Sequence, residues 1–424
     1  MSAAGALTSV PVDEAGTVLS SYADVRAALF TRTLAQHAHK RYERGNILED
    51  VVMQLHLPEH KIRRRAENPL YKREAVLEYE HVRFPAVIDA TLDTAITSGV
   101  RDALELAHLL TMVLSARISG IDVDQSDLAS LRRLVELERV FVQGASISDS
   151  TRNKSDVIAD VSRALEAFDA EFLADARALR TRRIKTGDLT LANADDLLAV
   201  LLLNREELNL DDALIVREVA FFLESGSHTS SLSVASTLTE LFAWADENPE
   251  RWSDIQMDER LRQEFLQRCA HEAIRLHPVV PVLRRRATET VEIGGHRLEE
   301  GDVLFLDCVT ANRDVTVFGT DANRFDPDRT LPEGVPLFGI GFGGGMHTCI
   351  GRVLAAGVDG APSRSDRPIL GQVAQVLEAL VVRGVRPNPA RPPVPDLTTV
   401  RARLRELPVL FDIDGREAVA HISR

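Results

Sequence analysis

The sequence predicts a mainly α fold with a small β region, and three observations lead there. Amphipathic runs follow one another as far as Pro278. One of them, from Asp211 to Glu247, is about 35 residues long, contains no proline and is apolar on most sides, so it is expected to cross the middle of the protein. Strand signals, by contrast, collect in a few places, among them "VEIGGHRLEEGDVLFLDCVT".

Taken in order, "SYADVRAALF" reads as a short helix opened by Ser21. "VRFPAVIDATLDTAITSG" and "VRDALELAHLLTMVLSARISGI" read as two helices with Gly99 as the stop. "SDVIADVSRALEAFDAEFLADARALRTRRI" is a long amphipathic helix whose basic end suits its dipole, and "NADDLLAVLLLN" is another helix. The long run that follows can be capped by Asp211 or Asp212. Its centre, "ESGSHTSS", is polar and glycine-containing, which costs helix stability and calls for partners or a function. "MDERLRQEFLQRCAHEAIRLHP" is a helix stopped by Pro278. The β stretch is a hairpin turning on "GG" plus a further strand, and "ANRDVTVFGTDANRFDPDRT" is loop. "RPNPARPPVP" is a proline-rich loop.

A chain of 424 residues can bury a sizeable core, and its net charge of −14 argues against nucleic acid as a main partner. The three cysteines, Cys269, Cys308 and Cys349, are far apart and odd in number, so a disulfide framework is not expected and a reducing, cytoplasmic setting is. The N-terminal stretch lacks the features of a signal peptide, and no run of about 18 apolar residues suggests a membrane span.

The most specific motif is "FGGGMHTCIG", which places Phe342, Gly345, Cys349 and Gly351 in the pattern F-x-x-G-x-x-x-C-x-G. A thiolate is a strong, soft iron ligand. Presenting it face-on beneath a flat macrocycle needs a tight loop without bulky side chains, and the loop N–H groups can bond the sulfur. A plain turn before a helix would not need Phe, Gly, His, Cys and Gly all in register. Three weaker motifs accompany it. In "HEAIRLHP", Glu272 and Arg275 share a helix face; the same stretch misses the zinc motif H-E-x-x-H because position 275 is Arg. In "PEHKIRRRA", His60 and Arg64 lie one helical turn apart. In "SGSHT", Gly226, His228 and Thr229 sit at the polar centre of the long helix.

Together these stretches resemble the cytochrome P-450 family, the heme-thiolate monooxygenases. The resemblance covers the chain from "SYADVRAAL" onward and implies one heme-thiolate domain over 1–424, shortened at its N-terminus, with the long central helix over heme. It implies that Cys349 ligates the iron of heme b. It also implies that His60, Arg64, Arg285 and His347 meet the propionates, that Phe342, Gly345 and Gly351 shape the loop, and that Glu272, Arg275 and Arg324 form a structural cluster. The family usually reads Ala/Gly-Gly-x-Asp/Glu-Thr on the central helix. Gly226 would leave room for dioxygen, Thr229 would stabilise reduced dioxygen, and His228 stands where the family's proton-feeding acid is found. His228 could relay protons with Glu224 holding its ring, anchor a polar substrate, or be a satisfied buried histidine. The substrate pocket is expected among residues 34–57, 221–231 and 279–283.

The function so implied is insertion of one atom of dioxygen into a small organic substrate, hydroxylation by default. Electrons would come from a separate ferredoxin and NAD(P)H-dependent reductase, docking on a monomer at a basic patch of Lys61, Arg63, Arg65 and Arg352. The alternatives are a heme-thiolate peroxygenase or non-oxygenating enzyme such as a dehydratase, and an inactive heme-binding or helical scaffold protein. One further departure from the family is the interruption of the helix after Cys349 by Gly360, Pro362 and Pro368.

Overall fold

The computed structural model of the protein describes residues 15–37, 42, 44–358 and 367–412. Most helix boundaries follow from side-chain caps that satisfy otherwise orphaned backbone groups. Ser21 accepts from the Asp24 N–H and opens Tyr22–Phe30. Asp102 opens Ala103–Ser119, Asp211 opens the central helix Asp212–Glu247, and Asp258 opens Glu259–Leu276. Gly99 and Gly120 end the helices before them with φ of 90° and 87°, a left-handed conformation that costs other residues energy. The expected long helix runs from Lys154 to Phe168 and from Ala174 to Thr186, joined without a break by a π-helical turn, Asp169–Leu173.

The central helix is 36 residues long and joins two apolar cores. Its first half places Ile215, Val219 and Leu223 in one core, against the helices Leu128–Ala145 and Lys154–Phe168. Its second half places Val234, Leu238 and Leu241 in the other, against Glu259–Leu276 and Gln372–Val381. Each such fully buried side chain contributes about 1.5–3 kcal/mol. The polar segment "ESGSHTSS" lies at the junction. There the helix runs close to Ala103–Ser119: a Cβ on Gly226 would stand 2.8 Å from Ser115 Oγ, and Thr111 Oγ1 donates to the Ser227 carbonyl at 3.0 Å.

The principal sheet has the order β1-β6-β3-β2, with β1 Thr17–Leu19, β2 Leu34–Gln36, β3 Val282–Ala287 and β6 Val303–Asp307. β1 pairs parallel with β6, placing Thr17 opposite Leu304. The hairpin turning on Gly294 and Gly295 joins β4 Val291–Ile293 to β5 His296–Leu298. The further strand ends at Asp307, where the helical turn Cys308–Ala311 takes over, and the stretch expected to be loop holds a second helical turn, Val315–Phe318. β3 and the helix Leu128–Ala145 are additions to the sequence reading.

Glu272 and Arg275 form a fully buried pair, with nitrogen–oxygen distances of 2.6 and 2.7 Å. Their third partner differs from the expected one. Arg329 brings Nε to 3.0 Å from Glu272 Oε1, whereas Arg324 is exposed and lies 3.9 Å from Glu247. Arg324 contributes through its backbone, whose carbonyl accepts from Arg329 at 2.9 Å. One carboxylate between two guanidinium groups is stable away from water only while both partners stay. Arg329→Met should therefore cost about 3–5 kcal/mol of unfolding free energy, and Arg324→Ala less than about 0.5 kcal/mol, as read from urea denaturation of the two variants.

Candidate heme-thiolate site

The glycine-rich loop hangs from the buried ion cluster. Arg275 donates to the Asn312 carbonyl at 2.6 Å, and the Asn312 side chain accepts from the Ile340 N–H at 2.7 Å. From there the chain reaches Cys349 through left-handed turns at Gly343 and Gly345, with φ of 66° and 61°. Gly345 has no space for a side chain, because a Cβ would stand 2.2 Å from the Leu29 carbonyl oxygen. The Phe342 carbonyl accepts from the Cys349 N–H at 3.0 Å, and its ring meets Phe338 edge-on at 5.0 Å. Burial raises the Cys349 thiol pKa, while the Gly351 N–H and the positive charges of Arg64 and Arg352 oppose that rise. The residue nonetheless retains accessible surface. Both hold for a sulfur that faces a hollow within the protein.

A cavity of about 970 Å³ is lined by His60, Arg64, Arg285, Gly345 and His347. The His60 and His347 rings are 4.2 Å apart. Arg285 is almost fully buried on β3 and donates to Gln36 and to the Arg284 carbonyl, with no carboxylate partner among the described residues. Burial lowers its pKa to about 10. Burial, with help from the neighbouring cations, lowers His347 to about 2 and His60 to about 4. His347 Nε2 is buried without a hydrogen-bond partner. Two guanidinium groups and two neutral imidazoles thus converge on one cavity; the buried Glu67 acts on Arg64, and Arg285 has no carboxylate partner among the described residues, an arrangement suited to an anionic occupant. A flat macrocycle bearing two carboxylates fits: its acids would meet these four residues, and its metal would lie toward the sulfur of Cys349.

The central helix divides its polar residues between two stripes. Phe221, Ser225 and Thr229 lie one turn apart and retain partial exposure although the helix is internal, so this stripe borders open space. Thr229 Oγ1 donates to the Ser225 carbonyl at 2.6 Å. Glu224 and His228 lie on the adjacent stripe, buried toward neighbouring helices. The pairing expected between them is absent: Glu224 bonds Ser225, while His228 faces His108 and Arg403. Burial holds His228 neutral and raises the Glu224 carboxyl to about 8. The space beside Gly226 is taken by Ser115, so here its lack of a side chain serves helix packing. Neither His228 nor Glu224 is arranged as the expected relay, which leaves Thr229 as the polar group on the open stripe nearest that turn.

Of the basic patch, Lys61, Arg65 and Arg352 are exposed. Arg63 is not, since it turns inward and pairs with the buried Glu218 at 2.7 Å. After Cys349 the helix Arg352–Ala356 ends at Gly357, where the chain reverses so tightly that a Cβ would stand 2.2 Å from the Ile369 carbonyl oxygen. Gly360 and Pro362 lie outside the described residues, and Pro368 accepts a hydrogen bond from His81 at 2.8 Å. No helix among the described residues is long and apolar enough to cross a membrane.

Residues 163–356 match the family model described as Cytochrome P450. Linalool 8-monooxygenase of Pseudomonas putida is 35% identical over 166 residues, 39% of this chain and 37% of that protein. Corytuberine synthase of Coptis japonica is 31% identical over 59% of this chain and 53% of its own length. Nocardicin C N-oxygenase of Nocardia uniformis subsp. tsuyamanensis is 26% identical over 82% and 80%. The chain thus spans about a third to a half of the first two of these relatives. Among solved structures, CalO2 superposes with a TM-score of 0.69 at 22% identity, covering 93% of this chain and 90% of that one. P450BioI bound to an acyl carrier protein gives a TM-score of 0.70 at 18% identity, with coverage of 94% and 92%.

The cations of the cavity carry a direct test. Arg64→Ala and Arg285→Ala should each weaken heme retention by about 1.5–3 kcal/mol, the worth of a charge-assisted hydrogen bond. The rate of heme loss to an excess of a scavenging protein measures this, and wild-type rates in both variants would remove them from the site.

Proposed function

Because the chain belongs to the cytochrome P450 family, we propose that it is a heme-thiolate monooxygenase acting on a small organic substrate. The observation that carries this reading is a lone cysteine on a glycine loop whose neighbouring residues Gly345 and His347 line a cavity together with Arg64 and Arg285. Heme b supplies the redox-active iron at which dioxygen is activated. The overall reaction consumes a substrate C–H bond, dioxygen, two electrons and two protons, and yields an alcohol and water. Two of the relatives are named for related chemistry, a linalool 8-monooxygenase and a nocardicin C N-oxygenase.

The chain's own contributions divide by element. Cys349 presents a thiolate, favoured by the Gly351 N–H and by Arg64 and Arg352 against the cost of burial. His60, Arg64, Arg285 and His347 hold and orient the propionates. Thr229 keeps one proton on the Ser225 carbonyl at 2.6 Å, so its oxygen is free to accept a hydrogen bond, and a turn about χ1 would let it donate. The open stripe at Thr229 favours the monooxygenase over the peroxygenase reading. Electrons would arrive from a ferredoxin and NAD(P)H-dependent reductase on the face bearing Lys61, Arg65 and Arg352.

Reduced protein under carbon monoxide should show the long-wavelength band of thiolate ligation, and Cys349→Ser should lose it. A band that persisted in the variant would place the ligand elsewhere. Thr229→Ala should divert reductant from product to peroxide at unchanged substrate affinity, a split read by comparing reductant consumed with product formed. Ferredoxin-driven reduction should slow as ionic strength rises from about 0.01 to 0.15 M, where the screening length shrinks from about 30 to 8 Å; a rate indifferent to salt would exclude a charged docking face.

A further inference from the structure

Three buried polar side chains from three helices meet on the side of the central helix turned away from its open stripe. His108 comes from Ala103–Ser119, Glu138 from Leu128–Ala145 and His228 from the central helix, with exposures of 4%, 0% and 8%. His108 Nε2 lies 3.4 Å from His228 Nδ1 and 3.2 Å from Glu138 Oε2, and the three ligand atoms all fall within 4.8 Å of one another. Neither Glu138 oxygen accepts a hydrogen bond of good geometry, and His108 Nδ1 has no partner.

The contact with Arg403 constrains how the protons of this group are arranged. Arg403 Nη1 lies 3.0 Å from His228 Nε2, and a guanidinium can only donate, so Nε2 must be the lone-pair nitrogen and Nδ1 must carry the hydrogen. That N–H then points at His108 Nε2 and takes up its lone pair. Glu138, facing the same nitrogen, receives no hydrogen bond from it, and both of its buried oxygens are left without a donor.

We propose that His108, Glu138 and His228 form a site for a divalent transition metal ion, zinc by its chemistry, that staples the central helix to the two helices beneath it. Zinc takes tetrahedral nitrogen and oxygen ligands at about 2.0–2.2 Å, which sets neighbouring ligand atoms about 3.3–3.5 Å apart. The 3.2 and 3.4 Å separations match that edge. A cation at the shared point takes the lone pairs of His228 Nδ1 and His108 Nε2 and neutralises Glu138, leaving a fourth position for water. The site also makes a demand on Arg403. A metal-bound His228 carries its hydrogen on Nε2, so Arg403 must swing Nη1 off the ring while Asp396 retains its Nε at 2.8 Å. The nearby Arg401 is already neutralised by Asp149 at 2.8 Å. The site is separate from the Cys349 cavity and owes nothing to the activity proposed above.

The test uses the heme-loaded full chain, stripped with a chelator and titrated with zinc against a chromogenic competitor, with zinc and iron counted independently. One zinc per chain is expected at micromolar zinc. His108→Ala and Glu138→Gln should each weaken binding about tenfold or more, with iron content and the carbon monoxide band unchanged. Arg403→Gln should tighten zinc several-fold, because the amide oxygen can accept from Nε2–H; damage to the fold would not produce a gain. Absence of stoichiometric zinc in the wild type, or wild-type affinity in His108→Ala and Glu138→Gln, would overturn the site. Unchanged or weaker binding in Arg403→Gln would overturn the assignment of His228 Nδ1 as a ligand.

Discussion

The buried carboxylate of Glu272 is the contact on which the rest of the site depends. It holds Arg275 and Arg329 at once, and these two guanidinium groups spend their remaining N–H bonds on the Asp321 carboxylate and on backbone carbonyls that include Asn312, Phe318, Ala322 and Arg324. A segment between the sheet and the glycine loop that holds only two short helical turns is thereby fixed. Asn312 passes the order on, since its side chain takes the Ile340 N–H at the point where the loop begins. A charge cluster of this kind adds little net stability over an apolar replacement. What it provides here is position, because carbonyls that no helix or strand would satisfy are given fixed donors.

The central helix shows a second division of labour. Its apolar residues differ between the two ends because each end lies in a different core, and the polar middle falls where the cores meet. Gly226 permits the close passage of Ala103–Ser119, and that passage brings His108 against His228. One stripe of the same turns, Ser225 and Thr229, faces open space, and the next, Glu224 and His228, is committed to helix–helix contact. A single residue step along the helix therefore separates a stripe facing open space from one committed to packing.

Features written in local sequence were the legible ones. Caps at Ser21, Asp211 and Gly99, the turn at Gly294–Gly295 and the loop around Cys349 need only neighbours along the chain to be recognised. The sites that departed from expectation depend on what lies across space. Arg324 and Arg329 are both arginines in one loop, and only the fold decides which side chain reaches Glu272. Arg63 sits among exposed basic neighbours yet turns inward, because Glu218 on another helix draws it in. His228 was read by its position on the central helix, while its partners come from residues 108, 138 and 403. β3, with its run of arginines, lacks a clean apolar alternation, because Arg284 and Arg285 are both buried and held by polar partners. The helix Leu128–Ala145 carries a regular pattern of Leu and Val that a fuller count of helical spacing would have found.

The parallel pairing of β1 with β6 sets an order of events during synthesis. Thr17 leaves the ribosome early, and its partner Leu304 is nearly the last part of the sheet to be made. At about 5–20 residues per second, the first strand waits roughly 15–60 s before the segment it pairs with exists. The helices Ala103–Ser119 and Asp212–Glu247 can pack in that interval, but the sheet cannot close until β6 arrives between β1 and β3. The nascent chain thus carries β1 without its partner until β6 is made, and its strand edge stays open during that window.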